Sequence, residues 1–495
     1  MISLKIKLMN IKLILRIVSY ILFLEVALMI PAAFVSVLYH ELHALTAFGI
    51  TCLLILAIAL ILYLTTKNAK GNHFYSREGL VTTGVAWIVM SILGCLPFVI
   101  SGEIPSFVDA LFETVSGFTT TGSSIVPNVE MMSKGILWWR SFTHWIGGMG
   151  VLVFLMAIVS LGGRNGGYTM HIMRAESPGP SSGKIVPRMK ETAKITYLMY
   201  MGLTAIDTLL LITIGRMPVF DAFCIAFGTA GTGGFGVKAD SMASYSHAAI
   251  NITTVFMLLF SVNFGIYFMF FTKRIKEALK DEELKFFWGI VIGAIACIFV
   301  VILPMYGKWN DALRDAAFNV ATIISTTGYA TADFNLWPVA AQTILVVLMC
   351  FGACAGSTGG GMKSSRVLIL LKAARRNIHA FIRPSGVRVI RYNERRLDES
   401  IVNNVLAYLA IYVLIILVST FIISFDNFDF TTNLTAVLAT FNNIGPGLNV
   451  VGPTGNFAGF SILSKCILIF DMLAGRLEIM PILVLFSKST WMKAR

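Results

Sequence analysis

Thr119-Thr120-Thr121-Gly122-Ser123 is the first of four short polar loops that recur along a very hydrophobic chain. The other three are Ala230-Gly231-Thr232-Gly233-Gly234, Ser325-Thr326-Thr327-Gly328-Tyr329 and Asn442-Asn443-Ile444-Gly445-Pro446. Each loop follows an apolar stretch of about ten residues, which is too short to cross a bilayer, and lies between two segments that are long enough. The order membrane helix, pore helix, loop, membrane helix therefore occurs four times. Four such loops around one axis would offer backbone oxygens in place of the water shell of a cation.

The composition indicates a membrane protein before any motif is considered. Of the 495 residues, 56% are hydrophobic and only 13% are charged, whereas soluble proteins carry about 25% charged residues. The apolar runs are continuous rather than alternating, which favours helices over a β-barrel, and about ten segments reach the length of a span. The net charge of +13 does not indicate a nucleic-acid partner, because Lys and Arg collect in alternate loops, as membrane topology requires.

These basic loops predict the orientation of the chain. Lys and Arg cluster near the N-terminus, at 164–194, at 273–276, at 363–396 and in the C-terminal tail. Basic loops face the cytoplasm, so both termini are expected there. All four polar loops then fall on the outer side.

The predicted fold class is an all-α integral membrane protein. Four pseudo-symmetric helix–pore-loop–helix repeats surround one pore and follow two extra transmembrane helices. The predicted units are residues 1–72 for the two-helix extension, 73–165 for repeat 1, 166–275 for repeat 2, 276–385 for repeat 3 with a broken last helix, and 386–495 for repeat 4. The second span of each repeat is expected near 136–161, 248–272, 338–371 and 457–486.

Polar residues precede the four short apolar stretches. They are Asp109, Asp221 and Asp315 in the first three repeats and Thr432 in the fourth. Because an Asp side chain accepts hydrogen bonds from the first N–H groups of a helix, we expect the three aspartates to be N-caps. A re-entrant loop at membrane depth is tolerated only inside protein or around a wet cavity. The pattern therefore predicts a central, water-accessible axis.

The four polar loops are the predicted selectivity filter for a monovalent cation. Glycine lets successive carbonyl groups point the same way, and the C-terminal ends of the short helices direct partial negative charge inward. A single Ser/Thr/Gly cluster is ordinarily a surface turn, but four at the same place in four units favour a filter. The predicted filter residues are Thr120, Thr121 and Gly122, Gly231, Thr232 and Gly233, Thr326, Thr327 and Gly328, and Asn443, Ile444 and Gly445.

A glycine-rich segment, Gly352–Gly361, interrupts the last span of the third repeat. Glycine costs about 1 kcal/mol per residue inside a helix, so the segment disfavours a continuous helix. One interpretation is a kinked, closely packed helix. The other is a mobile intramembrane loop under the filter that acts as a gate, with Gly356, Gly359, Gly360 and Gly361 as its predicted residues.

Arg476 lies in the middle of the last predicted span. A charge at this depth normally faces the protein interior. It could form a structural ion pair with Asp471 or Glu478, or it could lie beside the pore and raise a barrier to cations. Both interpretations stay open from the residues alone.

With these motifs the chain resembles the Trk/Ktr superfamily of potassium transporters, in particular the TrkH/TrkG type of membrane subunit of the bacterial Trk system. The resemblance covers nearly the whole chain and rests on the four filter loops, on Trp145–Gly150 and on Gly475–Ile479. It implies potassium uptake across the bacterial inner membrane, with potassium bound at the filter residues and no covalent cofactor. Serine at the first filter glycine is associated with sodium preference in plant relatives, so Gly122 favours potassium.

The resemblance also implies partners and a gate. The family's intramembrane gate matches Gly352–Gly361, and its pore-side arginine matches Arg476. A homodimer with one pore per subunit and a cytosolic TrkA-type nucleotide-binding regulatory subunit are expected. The basic segment 363–396 is a candidate surface for docking or for membrane lipid.

Two other functions remain to be weighed. A secondary transporter that couples a monovalent cation to another ion or small solute would use broken helices around a midplane site. A membrane-embedded enzyme would need a charged or metal-binding cluster, and the sequence offers none, so no enzymatic activity is expected. The sequence does not decide between channel-like flux and coupling to H⁺ or Na⁺.

Overall fold

The computed structural model describes residues 9–67, 76–150, 189–383 and 388–491. Helices form nearly all of the regular structure in these ranges. They are α1 Ile11–Leu38, α2 Leu42–Thr65, α3 Ser76–Gly94, α4 Leu96–Ile100, α5 Phe107–Phe118, α6 Lys134–Gly148, α7 Met189–Thr213, α8 Val219–Gly231, α9 His247–Phe260, α10 Phe264–Phe271, α11 Ile275–Ala278, α12 Glu282–Ile302, α13 Trp309–Ile324, α14 Val339–Met349, α15 Ser364–Ile382, α16 Glu399–Ile423, α17 Phe430–Phe441, α18 Ile462–Arg476, α19 Met480–Phe486 and α20 Lys488–Trp491.

A small two-stranded hairpin forms the β-sheet in the described part of the chain. Strands β1 (Arg391–Tyr392) and β2 (Arg395–Arg396) pair antiparallel, with Arg391 opposite Arg396. The hairpin lies in the basic segment between α15 and α16. Short 3₁₀ helices occur at Val129–Met131, Leu303–Met305, Phe334–Leu336, Ser424–Asp426 and Asn449–Val451.

Six helical segments in the described ranges are long and apolar enough to cross a membrane, or seven if the bent pair α9–α10 is one span. The sequence predicted about ten. The difference lies in the second span of each repeat. Helices α9 and α10 meet at 91°, α14 ends at Met349 before α15 begins at Ser364, and α18 ends at Arg476 before α19 begins at Met480. The expected continuous spans 248–272 and 457–486 are therefore wrong, whereas the break in the third repeat is confirmed.

Local hydrogen bonding explains the two missed breaks. At the α9–α10 bend the Asn263 side chain accepts a hydrogen bond from Gly265 N at 2.7 Å and caps α10, which competes with a continuous helix. Between α18 and α19, Glu478 and Ile479 take positive φ values of 56° and 69°. Neither site contains the run of glycines that marks the third repeat.

In the first repeat α6 ends at Gly148. Residues 151–188 lie outside the described residues, and with them the rest of the expected span 136–161, the boundary at 165 and most of the basic connection at 164–194. The boundary at 72 also lies outside them.

Four short helices precede the four polar loops directly. They contain 12 residues in α5, 13 in α8, 16 in α13 and 12 in α17. These lengths are too short for a span, so the prediction of a short helix before each loop is confirmed. Helix α13 is longer than the ten residues expected.

The predicted N-caps are wrong. Ser106 caps α5, and Asp109 lies in its first turn. Asp221 also lies within the first turn of its helix, α8, and Asp315 lies inside α13, which begins at Trp309. Two of the helices begin before the aspartate because apolar residues also precede it, Phe107 and Val108 in α5 and Val219 and Phe220 in α8.

The fourth pore helix has the aspartate cap that the sequence assigned to the others. Asp429 precedes α17 and accepts a hydrogen bond from Thr432 N at 3.0 Å. Thr432, which was expected at the start of this helix, is its third residue. The bond between the Asp429 carboxylate and the Thr432 hydroxyl lowers the pKa of Asp429.

The two N-terminal helices pack on each other and on the first repeat. Arg16 of α1 donates to Tyr63 O of α2 at 2.9 Å, and its guanidinium lies 3.8 Å from the Tyr63 ring. Glu41, between the two helices, accepts hydrogen bonds from Lys134 N at 2.7 Å and Gly135 N at 2.9 Å. A carboxylate at the N-terminus of α6 is stabilising, so the extension is attached to the N-terminal end of this helix.

Candidate ion filter and gate

The four polar loops form a closed ring. Each loop contains one glycine with positive φ that packs against a carbonyl oxygen of the next loop, and the fourth loop packs against the first. A methyl group placed on the glycine would come very close to that oxygen. The distances are 1.9 Å from Gly122 to the oxygen of Gly233, 2.1 Å from Gly234 to that of Thr327, 2.2 Å from Gly328 to that of Ile444, and 3.0 Å from Gly445 to that of Thr121. A side chain would therefore displace a carbonyl group at each position. The four loops therefore meet in one ring.

The backbone angles set the register of the four loops. The glycine has a φ of 83° at Gly122, 73° at Gly234, 93° at Gly328 and 102° at Gly445. The residue two positions earlier is also left-handed, with a φ of 54° at Thr120, 54° at Thr232, 60° at Thr326 and 54° at Asn443. The structural equivalent of Gly122 in the second loop is therefore Gly234.

This register corrects the sequence assignment by one residue. The prediction placed Gly231, Thr232 and Gly233 opposite the other triplets, whereas Thr232, Gly233 and Gly234 occupy that place. The second loop contains two consecutive glycines, and composition does not show which of them adopts the left-handed conformation. Gly231 is the last residue of α8.

The middle residue of each loop is held by its own pore helix. Its N–H donates to the carbonyl oxygen five residues earlier, in every repeat. The distances are 2.9 Å from Thr121 to Ser116, 2.8 Å from Gly233 to Gly228, 2.8 Å from Thr327 to Thr322, and 2.8 Å from Ile444 to Ala439. The same four residues supply the carbonyl oxygens of the ring, so these oxygens are fixed by the helix ends. Fixed carbonyl dipoles suit a dehydrated monovalent cation.

A buried ion pair that the sequence reasoning missed lies behind the first two loops. Arg140 Nε donates to Glu113 Oε1 at 2.7 Å, and the side chains are 3% and 0% exposed. Glu113 also accepts from Ser124 Oγ and Ile125 N, both at 2.9 Å. Arg140 donates to Gly236 O at 3.1 Å. The pair thus joins the segments that follow the first and second filter loops. In the sequence, this pair was indicated only by one Arg and one Glu that each lie in an apolar segment, where charged residues usually face the protein interior.

Two further side chains, His144 and Asn443, make contacts that stabilise the loops. His144 Nδ1 lies 2.9 Å from Gly117 O, and a methyl group on Gly233 would lie 2.4 Å from the same nitrogen. Asn443 Nδ2 donates to Thr121 Oγ1 at 2.9 Å, which links the fourth loop to the first. The role of His144 was missed because its partners are backbone atoms, which sequence patterns do not show.

The glycine-rich segment is a loop, as the gate interpretation requires. Residues 350–363 lie between α14 and α15, and Gly352, Gly356 and Gly361 have positive φ. The loop lies directly against the filter, because Gly360 N donates to Thr326 Oγ1 at 2.7 Å. A methyl group on Gly360 would lie 2.7 Å from the Asn442 carbonyl oxygen. The alternative of a kinked helix is therefore wrong.

Arg476 binds backbone oxygens of two elements, the glycine-rich loop and α6. Its guanidinium donates to Thr358 O in the glycine-rich loop and to Gly148 O at the end of α6, both at 2.8 Å, and also to Gly147 O. The arginine therefore connects the loop to the first repeat.

The two carboxylates that were candidate ion-pair partners of Arg476 bind other side chains. Asp471 accepts a hydrogen bond from Ser419 Oγ at 2.8 Å. Glu478 pairs with Arg366 of α15, whose guanidinium lies 4.2 Å from the Tyr408 ring. Backbone carbonyl dipoles next to the filter thus solvate the charge of Arg476.

Comparisons with known proteins agree with this geometry. The family model TrkH, described as a cation transport protein, matches residues 44–492. The Trk system potassium uptake protein TrkH of Escherichia coli (strain K12) is 35% identical over 98% of this chain and 100% of its own length. TrkG of the same strain is 30% identical over 94% of this chain and 95% of its own length. The crystal structure of the potassium transporter TrkH from Vibrio parahaemolyticus matches with a TM-score of 0.87 and 31% identity, over 97% of this chain and 100% of that one.

Proposed function

The chain belongs to the TrkH family of cation transport proteins, and on that premise we propose that it takes up potassium ions through the ring of filter loops. The observation that carries the proposal is the closed ring itself, in which each loop's glycine packs against a carbonyl oxygen of the next. These oxygens replace water around a potassium ion, and an inward-negative potential supplies about 2.3 kcal/mol per charge for each 100 mV.

The glycine-rich loop is the gate in this proposal. It contacts the filter through Gly360 and Thr326, and Arg476 fastens it to the end of α6. The backbone of the loop lies close to the filter. A methyl group on Gly359 would lie 2.9 Å from the Ser325 carbonyl oxygen, and one on Gly360 would lie 2.7 Å from the Asn442 carbonyl oxygen. Transport therefore requires the loop to move away from the filter.

The assembly around the pore is part of the same proposal. The relatives are named as parts of a Trk system, which supports an assembly of several components. We propose a homodimer and a cytosolic TrkA-type nucleotide-binding subunit as these components. The multi-pass chain then lies in the bacterial inner membrane with both termini in the cytoplasm. The basic residues of α15 and the hairpin offer a surface for that subunit or for lipid headgroups.

Growth of cells that lack potassium uptake tests the function. The chain, expressed with a suitable regulatory subunit, is expected to restore growth at low external potassium. Flux into liposomes under imposed ion gradients then separates channel-like flux from coupling to H⁺ or Na⁺. A chain that reaches the membrane and neither restores growth nor moves potassium contradicts the proposal.

Gly122→Ser tests the selectivity of the ring. The side chain would displace the Gly233 carbonyl oxygen, which lies 1.9 Å from the new β-carbon, so we expect sodium permeation to rise relative to potassium. Gly102→Ser is the matched control, because Gly102 has a φ of 79° with no atom within 4 Å of an added β-carbon. An unchanged sodium-to-potassium ratio in Gly122→Ser would show that this carbonyl does not face the ion.

A further inference from the structure

One buried carboxylate, Glu283, joins three separate parts of the chain. It is the second residue of α12 and is 3% exposed. Its Oε1 accepts hydrogen bonds from Ala355 N at 2.7 Å and from Ser365 N at 3.0 Å. Its Oε2 accepts from the Tyr392 hydroxyl at 3.2 Å. One oxygen therefore serves the gate loop and the other serves the cytoplasmic hairpin.

The contacts to the gate loop fall on both sides of its turn. Ala355 precedes the glycines 356–361, and Ser365 is the second residue of α15, just after them. A single oxygen thus holds the two ends of the turn together. Both bonds come from backbone N–H groups, and Ser365 lies in the first turn of α15, where the N–H groups have no partner within the helix.

The hairpin is fixed to the same end of α12 by its own contacts. Asn393 Nδ2 donates to Asp281 Oδ2 at 2.7 Å, and Asn393 Oδ1 accepts from Glu282 N at 2.9 Å. Lys372 of α15 donates to Arg391 O at 2.8 Å and pairs with Glu282. Polar contacts thus attach the hairpin to the start of α12, and the Tyr392 ring also packs in an apolar cluster with residues of α15 and α16. The Tyr392 hydroxyl is the hairpin's contact with Glu283.

We propose that Glu283 is a positioning residue that couples the hairpin 391–396 to the gate loop. While Tyr392 donates to Glu283, the carboxylate stays in place and holds Ala355 and Ser365. Displacement of the hairpin from the cytoplasmic side withdraws the Tyr392 hydroxyl and loosens the hold on the loop. This proposal rests on the proposed function, because that function makes the glycine-rich loop a gate. The hydrogen bonds of Glu283 do not depend on which ion is transported.

Potassium flux through purified full-length protein in liposomes tests the coupling. Glu283→Gln replaces one carboxylate oxygen with an amide nitrogen that cannot accept a hydrogen bond, and Tyr392→Phe removes only the link to the hairpin. We expect flux to rise roughly ten-fold in Glu283→Gln, the upper end of the equilibrium change for one lost hydrogen bond, and to rise less in Tyr392→Phe. The potassium-to-sodium ratio should stay unchanged in both. Glu277→Gln is the control, since it removes an exposed cytoplasmic carboxylate that pairs with Arg274.

Cys354 gives a second readout that a purely structural role would not move. This thiol lies in the gate loop and is 1% exposed, whereas Cys224 of the second pore helix is 0% exposed. Both variants should speed the labelling of Cys354 by a membrane-permeant maleimide, mapped by mass spectrometry, and should leave Cys224 unlabelled at the same time points.

Each outcome decides one of the two proposals. Wild-type labelling rates and flux in a folded Tyr392→Phe protein overturn the coupling, and this variant decides the matter if Glu283→Gln fails to fold. Faster labelling of both cysteines indicates general loosening and also overturns it. Absence of potassium flux in the wild-type protein overturns the proposed function, and the labelling rates of Cys354 then still decide the coupling.

Discussion

The filter loops and the gate loop are both rich in glycine, yet different atoms hold them. Each filter loop bonds to its own pore helix, for example Thr121 N to Ser116 O at 2.9 Å. The gate loop bonds mainly to other elements, with Cys354 N donating to Ser261 O at 3.0 Å and Ala355 N to Glu283. Local bonds keep a loop's shape when its surroundings move, whereas bonds to distant elements transmit their movement. This difference supports the proposal of a fixed filter and a movable gate.

The largest expected effect comes from breaking the support of the fixed region. Glu113→Gln leaves Arg140 buried without its carboxylate, which is expected to cost about 3–5 kcal/mol of stability. We expect a lower melting temperature and loss of potassium flux. Glu277→Gln, at an exposed pair, should change neither. Normal stability of Glu113→Gln would mean that the pair does not support the filter.

The corrected register predicts the next effect. Gly234→Ala places a β-carbon 2.1 Å from the Thr327 carbonyl oxygen at a φ of 73°, so we expect the potassium-to-sodium permeability ratio to fall about tenfold, which corresponds to about 1.4 kcal/mol. Gly233→Ala meets the His144 ring instead and should change the ratio less. Ratios measured from liposome flux check this order, and a larger change in Gly233→Ala would restore the register expected from the sequence.

Weakening the attachment of the movable region should raise flux. Arg476→Gln removes the bonds to Thr358, Gly147 and Gly148 along with a positive charge beside the filter. We expect a roughly fivefold increase in potassium flux, in keeping with the loss of about 1 kcal/mol from the closed state. Arg274→Gln, at the exposed pair with Glu277, is the control. Equal or lower flux in Arg476→Gln would contradict its part in the gate.

The smallest effect concerns a pore helix rather than a loop. Asp429→Ala removes the N-cap of α17 and should destabilise the protein by about 1 kcal/mol with no change in selectivity. The Thr432 hydroxyl lowers the pKa of Asp429 in the folded protein, so this contribution is present above the unfolded pKa and is lost as the pH falls through the folded one. The difference in melting temperature between wild type and variant should therefore shrink as the pH falls below about 3.9, the ordinary pKa of Asp. A difference that stays constant at all lower pH values would exclude the charged cap.

Features that depend on neighbouring residues in the chain were predictable. Hydropathy located the long spans, and short apolar stretches located the four pore helices. The run of glycines at 352–361 revealed the break in the third repeat, because glycine weakens a helix wherever it occurs. The break at Asn263 was missed because a side-chain cap interrupts that helix, and one asparagine in an apolar stretch carries no comparable signal.

The sequence alone therefore determined that this is a helical membrane protein with four polar loops behind four short helices and one weak span, since hydrophobicity and backbone freedom are local properties. Only the tertiary structure decided that Gly234 rather than Gly233 enters the ring, that Arg140 meets Glu113, and that Glu283 reaches both the gate loop and the hairpin. These contacts depend on which helices pack side by side. A residue's identity limits the bonds it can form, and the packing of distant segments selects among them.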